Sequence, residues 1–166
     1  MINDFNNIGH LKQAGFEGFK TKGELFLDSS TIPKVKGVYL VLFQSSKPSF
    51  LEVGTGGFFK RKNPNISLER LKKNWVYNSK VVYIGKAGSK SGNATLHSRL
   101  NQYLKFGQGK NIGHWGGRLI WQLKNSSNLI VCWKKLSAEE PREVEQLLIQ
   151  LFINQFGKRP FANLSN

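Results

Sequence analysis

The chain has 166 residues, 39% of them hydrophobic, enough for one domain with a core of its own, and no shift in composition divides it in two. No run of about eighteen apolar residues could span a bilayer, and the start MINDFNNIGH lacks a basic-then-apolar leader, so a soluble, cytoplasmic protein is expected. Its 25 Lys and Arg stand against 10 Asp and Glu, a net charge of +15 that implies an anionic partner.

In chain order, a short helix is expected over 10–14, stopped by Gly15, within an N-terminal extension that runs to Lys36. The run Val38-Tyr39-Leu40-Val41-Leu42-Phe43 is dense in β-formers and predicts the first strand. Residues 44–80 form a long basic insertion with Lys60-Arg61-Lys62, and the spacing of Leu68, Leu71 and Trp75 predicts a helix over 67–76. A strand over 80–84 then runs into the glycine-rich KAGSKSGN. A helix over 94–105 carries Leu96, Leu100 and Leu104 on one stripe.

After FGQGKNIGHWGG, strands are predicted over 118–123 and 129–136, separated by the turn Lys124-Asn125-Ser126-Ser127-Asn128. The last helix has Ser137 and Glu140 in capping-box spacing and Pro141 in its first turn. From Val144 to Phe156 it is apolar around most of its circumference, which predicts an enclosed helix. The order of elements reads as a small single α/β domain, with a central, largely antiparallel sheet flanked by helices.

The charge is unevenly placed. Between Val53 and Ala138 Glu69 is the single acid, against sixteen Lys and Arg, a one-signed field suited to neutralising phosphates. A basic surface that serves only solubility or anionic membranes is the competing reading. The one cysteine, Cys132, stands among apolar residues, which excludes a disulfide within the chain and a cysteine-based zinc site.

Several residues in and around this field carry chemistry. Tyr39 and Tyr83 lie in apolar strands, where a core tyrosine is the plainer reading and a functional phenol the sharper one. Lys86 directly follows Gly85, where the backbone can approach a phosphate, but GKAGS lacks P-loop spacing and a triphosphate site is excluded. Arg99 and Tyr103 are i and i+4 on one helix side, and His97 points away from Arg99 toward solvent. His114, between glycines, admits a structural and a functional reading equally. Glu145 lies on a helix crowded with Leu and Ile, where a carboxylate must be paired, bound to metal or turned to solvent. Three histidines without ligand spacing exclude a histidine zinc site.

These pieces, taken in order, resemble a known family. Gly37-Val38-Tyr39 and Tyr83-Ile84-Gly85 are similar to the two halves of the signature of the GIY-YIG nucleases. Leu96-His97-Ser98-Arg99-Leu100-Asn101-Gln102-Tyr103, Glu145-Gln146-Leu147-Leu148-Ile149 and Arg159-Pro160-Phe161-Ala162-Asn163 resemble later motifs of the same family. Within it they are most similar to the N-terminal nuclease domain of the incision subunit of bacterial nucleotide-excision repair. The resemblance covers about 37–163. It departs in the basic insertion that separates the two tyrosine strands, and in a longer spacing from Glu145 to Asn163.

The resemblance implies an endonuclease that hydrolyses DNA phosphodiesters with one divalent cation, Mg²⁺ or Mn²⁺, held by Glu145. Arg99 would stabilise charge on the phosphoryl oxygens, and Tyr83 or Tyr39 would orient or deprotonate water, with Lys86 drawing the phenol pKa down. Tyr103 would bind the phosphate through its hydroxyl, and Gly85, Lys86, His114 and Asn163 would contact substrate. Cutting both strands would require a homodimer, and a repair role would require a protein partner. The alternatives are a nucleic-acid-binding module without catalysis, and a nuclease acting on RNA or branched DNA.

Overall fold

A computed structural model describes residues 1–45 and 47–164, so Ser46 of the insertion and the last two residues lie outside the description. Four strands form one antiparallel sheet: β1 (Glu17–Thr21), β2 (Gly37–Leu42), β3 (Val81–Ala87) and β4 (Ile130–Lys135), in the order β1-β4-β2-β3. Strand β2 is central and buried along its length, as its unbroken Val, Leu and Tyr run requires. Tyr39 pairs with Gly85 on one side and Trp133 on the other, and Val41 pairs with Tyr83 and Val131, which fixes the face each side chain occupies.

Helices α1 (Ile8–Gln13) and α5 (Pro141–Phe156) cover one face, with Leu11, Leu148 and Phe152 over Val38, Leu40, Ile84 and Cys132. Helix α4 (Leu96–Gly107) covers the other with Leu100 and Leu104 over Tyr39, Val41 and Trp133. Each enclosed Leu or Phe contributes about 1.5–3 kcal/mol. Helix α4 begins at Thr95, whose hydroxyl and Ser98 close a reciprocal cap.

Four expectations need correction. Arg118–Gln122 is a 3₁₀ helix rather than a strand, because its backbone bonds locally, the Ile120 N–H to the Gly117 carbonyl at 3.3 Å and the Leu123 N–H to the Ile120 carbonyl at 3.1 Å, in place of a ladder to a neighbouring strand. Ser137 does not cap α5. The N-cap is Glu140, without a side-chain hydrogen bond, and Pro141 occupies the first helical position. Helix α5 is also less enclosed than its composition implies, since only Pro141, Leu148 and Phe152 are buried and Leu147 is 57% exposed. Finally, the N-terminal extension supplies strand β1 and helix α2 (Lys22–Leu27), which its composition did not announce. Gly18 and Phe19 at positive φ break the regular pattern of β1, although Thr21 and Glu24 carry a legible capping box.

The insertion is a built layer. Its helix α3 (Leu68–Asn74) starts at Ser67, and Trp75 packs edge-on against Phe43, Phe50 and Phe161 at 5.1–5.8 Å. The buried amide of Gln122 clamps it, donating to the carbonyls of Leu51, Glu52 and Ile66 and accepting from the Ile66 N–H at 2.9 Å. Cys132 is buried and unpaired, as expected. Among the described residues no helix is long and apolar enough to cross a membrane.

Candidate functional site

The open edge of β3 meets the start of α5 and the first turns of α4, and the expected residues converge there. Tyr39, Tyr83, Lys86, Arg99 and Glu145 line one cavity of about 330 Å³. It adjoins a groove of about 730 Å³, lined by Tyr83, Lys86 and Glu145 with Arg142, Arg159 and Gln146. Among the described residues Glu145 is the only acid along a path that carries four cations, Lys86, Arg99, Arg142 and Arg159.

Each side chain is placed by its element. Tyr83 comes from the middle of β3 and keeps 6% of its surface, and its hydroxyl lies beside Gly116, where an added Cβ would sit 3.3 Å away. Arg99, in the first turn of α4, donates to the Gly113 carbonyl at 3.1 Å and to Gln102 Oε1 at 3.3 Å, leaving the rest of its guanidinium toward the cavity. Glu145, half-buried on α5, makes no hydrogen bond or ion pair among the described residues. Burial pushes its carboxyl above the ordinary carboxylate range, against the pull of Lys86, Arg99 and Arg142. An unpaired carboxylate facing three cations without touching them is a ready ligand for a further cation.

Of the other expected contacts, Tyr103 is withdrawn from the cleft, and His114, Asn163 and Gly85 each serve another residue around it. Tyr103 is fully buried, packed on His114 at 4.4 Å and on Trp121 at 5.0 Å, and its hydroxyl reaches neither cavity. It cannot hand that hydroxyl to a phosphate. His114 is also fully buried, with Nε2 hydrogen-bonded to the Tyr39 hydroxyl at 3.0 Å, so it positions Tyr39 and does not meet substrate. Asn163 Oδ1 accepts from the Ile84 N–H and Nδ2 donates to the Ile84 carbonyl, both at 2.8 Å. Its amide continues the ladder at the open edge of β3 and pins the C-terminal segment that walls the groove. Gly85 lies directly under the Tyr39 ring, and a Cβ there would fall 2.6 Å from the phenol oxygen. The close approach it permits is that of Tyr39. His97, expected at the surface, is half-buried beside Asn101.

The phenols are not primed as bases. Burial, helped by the Glu145 charge, pushes Tyr83 up to about 12, and burial with Tyr83 beside it raises Tyr39 well above the usual phenol range. Burial raises Tyr103 likewise. Burial and Arg99 hold His114 well below the ordinary imidazole range, so its ring is neutral.

Compared with known proteins, the chain matches no family model, no characterised protein and no solved structure. The reading from sequence missed Arg142 and Arg159 as cleft cations. Arg142 had a signal, lying three residues before Glu145 and hence on the same side of α5. Arg159 opens the stretch Arg159-Pro160-Phe161-Ala162-Asn163, in which only Asn163 was expected to meet substrate, and the return of the C-terminal segment along β3 brings the arginine to the groove as well.

Proposed function

We propose that the protein is a metal-dependent endonuclease of the GIY-YIG type that hydrolyses phosphodiester bonds in DNA. The observation that carries this reading is the convergence of Tyr83, Lys86, Arg99 and Glu145, from three distant segments, on one cleft with a single unpaired carboxylate among cations. A core tyrosine or a solvated arginine alone would not require that meeting.

The donor set fits a hard divalent cation bound by one carboxylate, with water and a phosphate oxygen completing its shell. Among the described residues no group of three His, Cys, Asp or Glu gathers, so on this reading Glu145 would be the sole carboxylate ligand and water would supply most of the remaining positions. Glu145 would hold that ion, which would supply Lewis-acid stabilisation of phosphate charge. Arg99, fixed by the Gly113 carbonyl, offers its remaining N–H donors to the phosphoryl oxygens as negative charge builds there. Lys86 adds a second cation at the same mouth. Burial pushes the Tyr83 phenol up to about 12, so its hydroxyl would serve as a hydrogen-bond donor and acceptor that orients the attacking water. Tyr39, held by His114, keeps Tyr83 in place through their edge-to-face packing at 6.0 Å.

The test is incubation of supercoiled plasmid with the protein in Mg²⁺, Mn²⁺ or EDTA. Nicking that needs metal and drops by at least about 10²-fold in Arg99→Ala and Glu145→Gln supports the reading. Cleavage that survives both substitutions refutes the site. DNA binding without cleavage in either metal refutes the enzyme and leaves a binding module.

A further inference from the structure

The insertion between the two tyrosine strands ends in a tip that stands beside this cleft. The Gly57 N–H donates to the Phe106 carbonyl at 2.9 Å, and the Lys60 N–H to Asn111 Oδ1 at 3.3 Å. The Phe59 ring packs on Gly113, where a Cβ would sit 3.2 Å away, and the Gly113 carbonyl is the one that holds Arg99. The tip is thus one residue removed from the arginine of the cleft.

What the tip presents is unusual for a loop that only fills space. Phe58 is 53% exposed, although the adjacent Phe59 is anchored. Lys60 and Arg61 both hold positive φ, 52° and 61°, a conformation that non-glycine residues adopt reluctantly and that the anchors on either side maintain. Lys60, Arg61 and Lys62 are all exposed, and no acid occurs from Val53 to Leu68. Lys105 and Lys110, also exposed, flank Phe106, whose carbonyl anchors the tip, and add to its positive charge.

We propose that this tip grips single-stranded DNA, Phe58 stacking on an unpaired base while Lys60, Arg61 and Lys62 take the neighbouring phosphates, so that the chain selects DNA with an unpaired strand beside the cleft. A duplex keeps its base faces inside its own stack, and only an unpaired base offers a π-face to an exposed phenyl ring. A phenylalanine flanked by three cations suits a polyanion with flat apolar faces better than an apolar protein surface. The grip rests on the nuclease reading for its purpose, but its binding signature is measurable without cleavage.

The experiment is fluorescence anisotropy in EDTA, with end-labelled oligonucleotides of about twenty nucleotides as single strand, blunt duplex and forked duplex. The wild type should bind single strand and fork at least about fivefold more tightly than duplex. Phe58→Ala should weaken those two by about tenfold and the duplex by less than about twofold, and Phe58→Trp should restore the preference. The pair Lys60→Ala and Arg61→Ala should weaken all three and reduce the salt slope by roughly one to two. A wild type without preference, or Phe58→Ala weakening all three equally or none, overturns the grip. If the preference depends on Phe58 but plasmid stays intact in Mg²⁺ and Mn²⁺, the grip stands and the nuclease falls.

Discussion

Burial of His114 makes the fold sensitive to acid in a calculable way. Its ring is enclosed between Tyr39, Tyr103 and the Arg99 side of the cleft, and burial with the Arg99 charge holds its pKa well below 6.5. In the unfolded chain the same imidazole takes a proton near pH 6.5. Below that pH the unfolded state therefore binds one more proton than the folded state, and stability falls as pH falls, by up to about 1.4 kcal/mol per pH unit. Between neutrality and pH 5 the loss from this one residue is about 2 kcal/mol. Glu145 works in the opposite direction, since its raised carboxyl costs stability as pH rises above the ordinary range, so a single curve would mix the two. Comparison with His114→Gln separates them, because glutamine can still bond the Tyr39 hydroxyl and does not titrate. Urea unfolding of both proteins from pH 7.5 to pH 5 should show the wild type losing about 2 kcal/mol more than the variant. Parallel curves would refute the enclosure of a neutral His114.

Two further outcomes follow from the same geometry. Gly85→Ala should lower stability by about 1–3 kcal/mol and abolish any cleavage, because its methyl meets the Tyr39 phenol; thermal melting beside the plasmid assay checks both. Lys22 is buried with Nζ 4.1 Å from the Trp121 ring centroid and 3.0 Å from Ser126 Oγ, and burial lowers its pKa to about 8 from 10.5. The unfolded chain keeps that proton up to about pH 10.5, so stability should rise between pH 8 and pH 10.5, by roughly 2 kcal/mol after allowing for residual solvation. Lys22→Met should raise the unfolding midpoint in urea at pH 7 and flatten this rise.

Much of the architecture was legible because it rests on local rules. The unbroken β-former run of β2, the leucine spacing of α4 and the proline at the start of α5 each specify an element without reference to the rest of the chain. Where a distant partner decides, local rules failed. Arg118–Gln122 has strand composition, yet its backbone turns as a 3₁₀ helix that sets Trp121 against Tyr103 and the Gln122 amide against the insertion, contacts that composition does not reveal. The regular pattern of β1 is broken by residues at positive φ, which leave little periodicity to read.

The candidate site divides in the same way. The residue types Tyr83, Lys86, Arg99 and Glu145, with an acid-poor stretch around most of them, are properties of the sequence by itself, because charge and side-chain chemistry do not depend on folding. Whether those residues meet, and which neighbours face them, depends on strand order and helix packing. The tertiary structure alone buried Tyr103 and His114 behind the cleft, turned the Asn163 amide onto the backbone of Ile84, placed Gly85 under Tyr39 and brought Arg142 and Arg159 to the groove. It also decided the protonation of the phenols, since desolvation is a property of a packed environment and no residue carries it in its name.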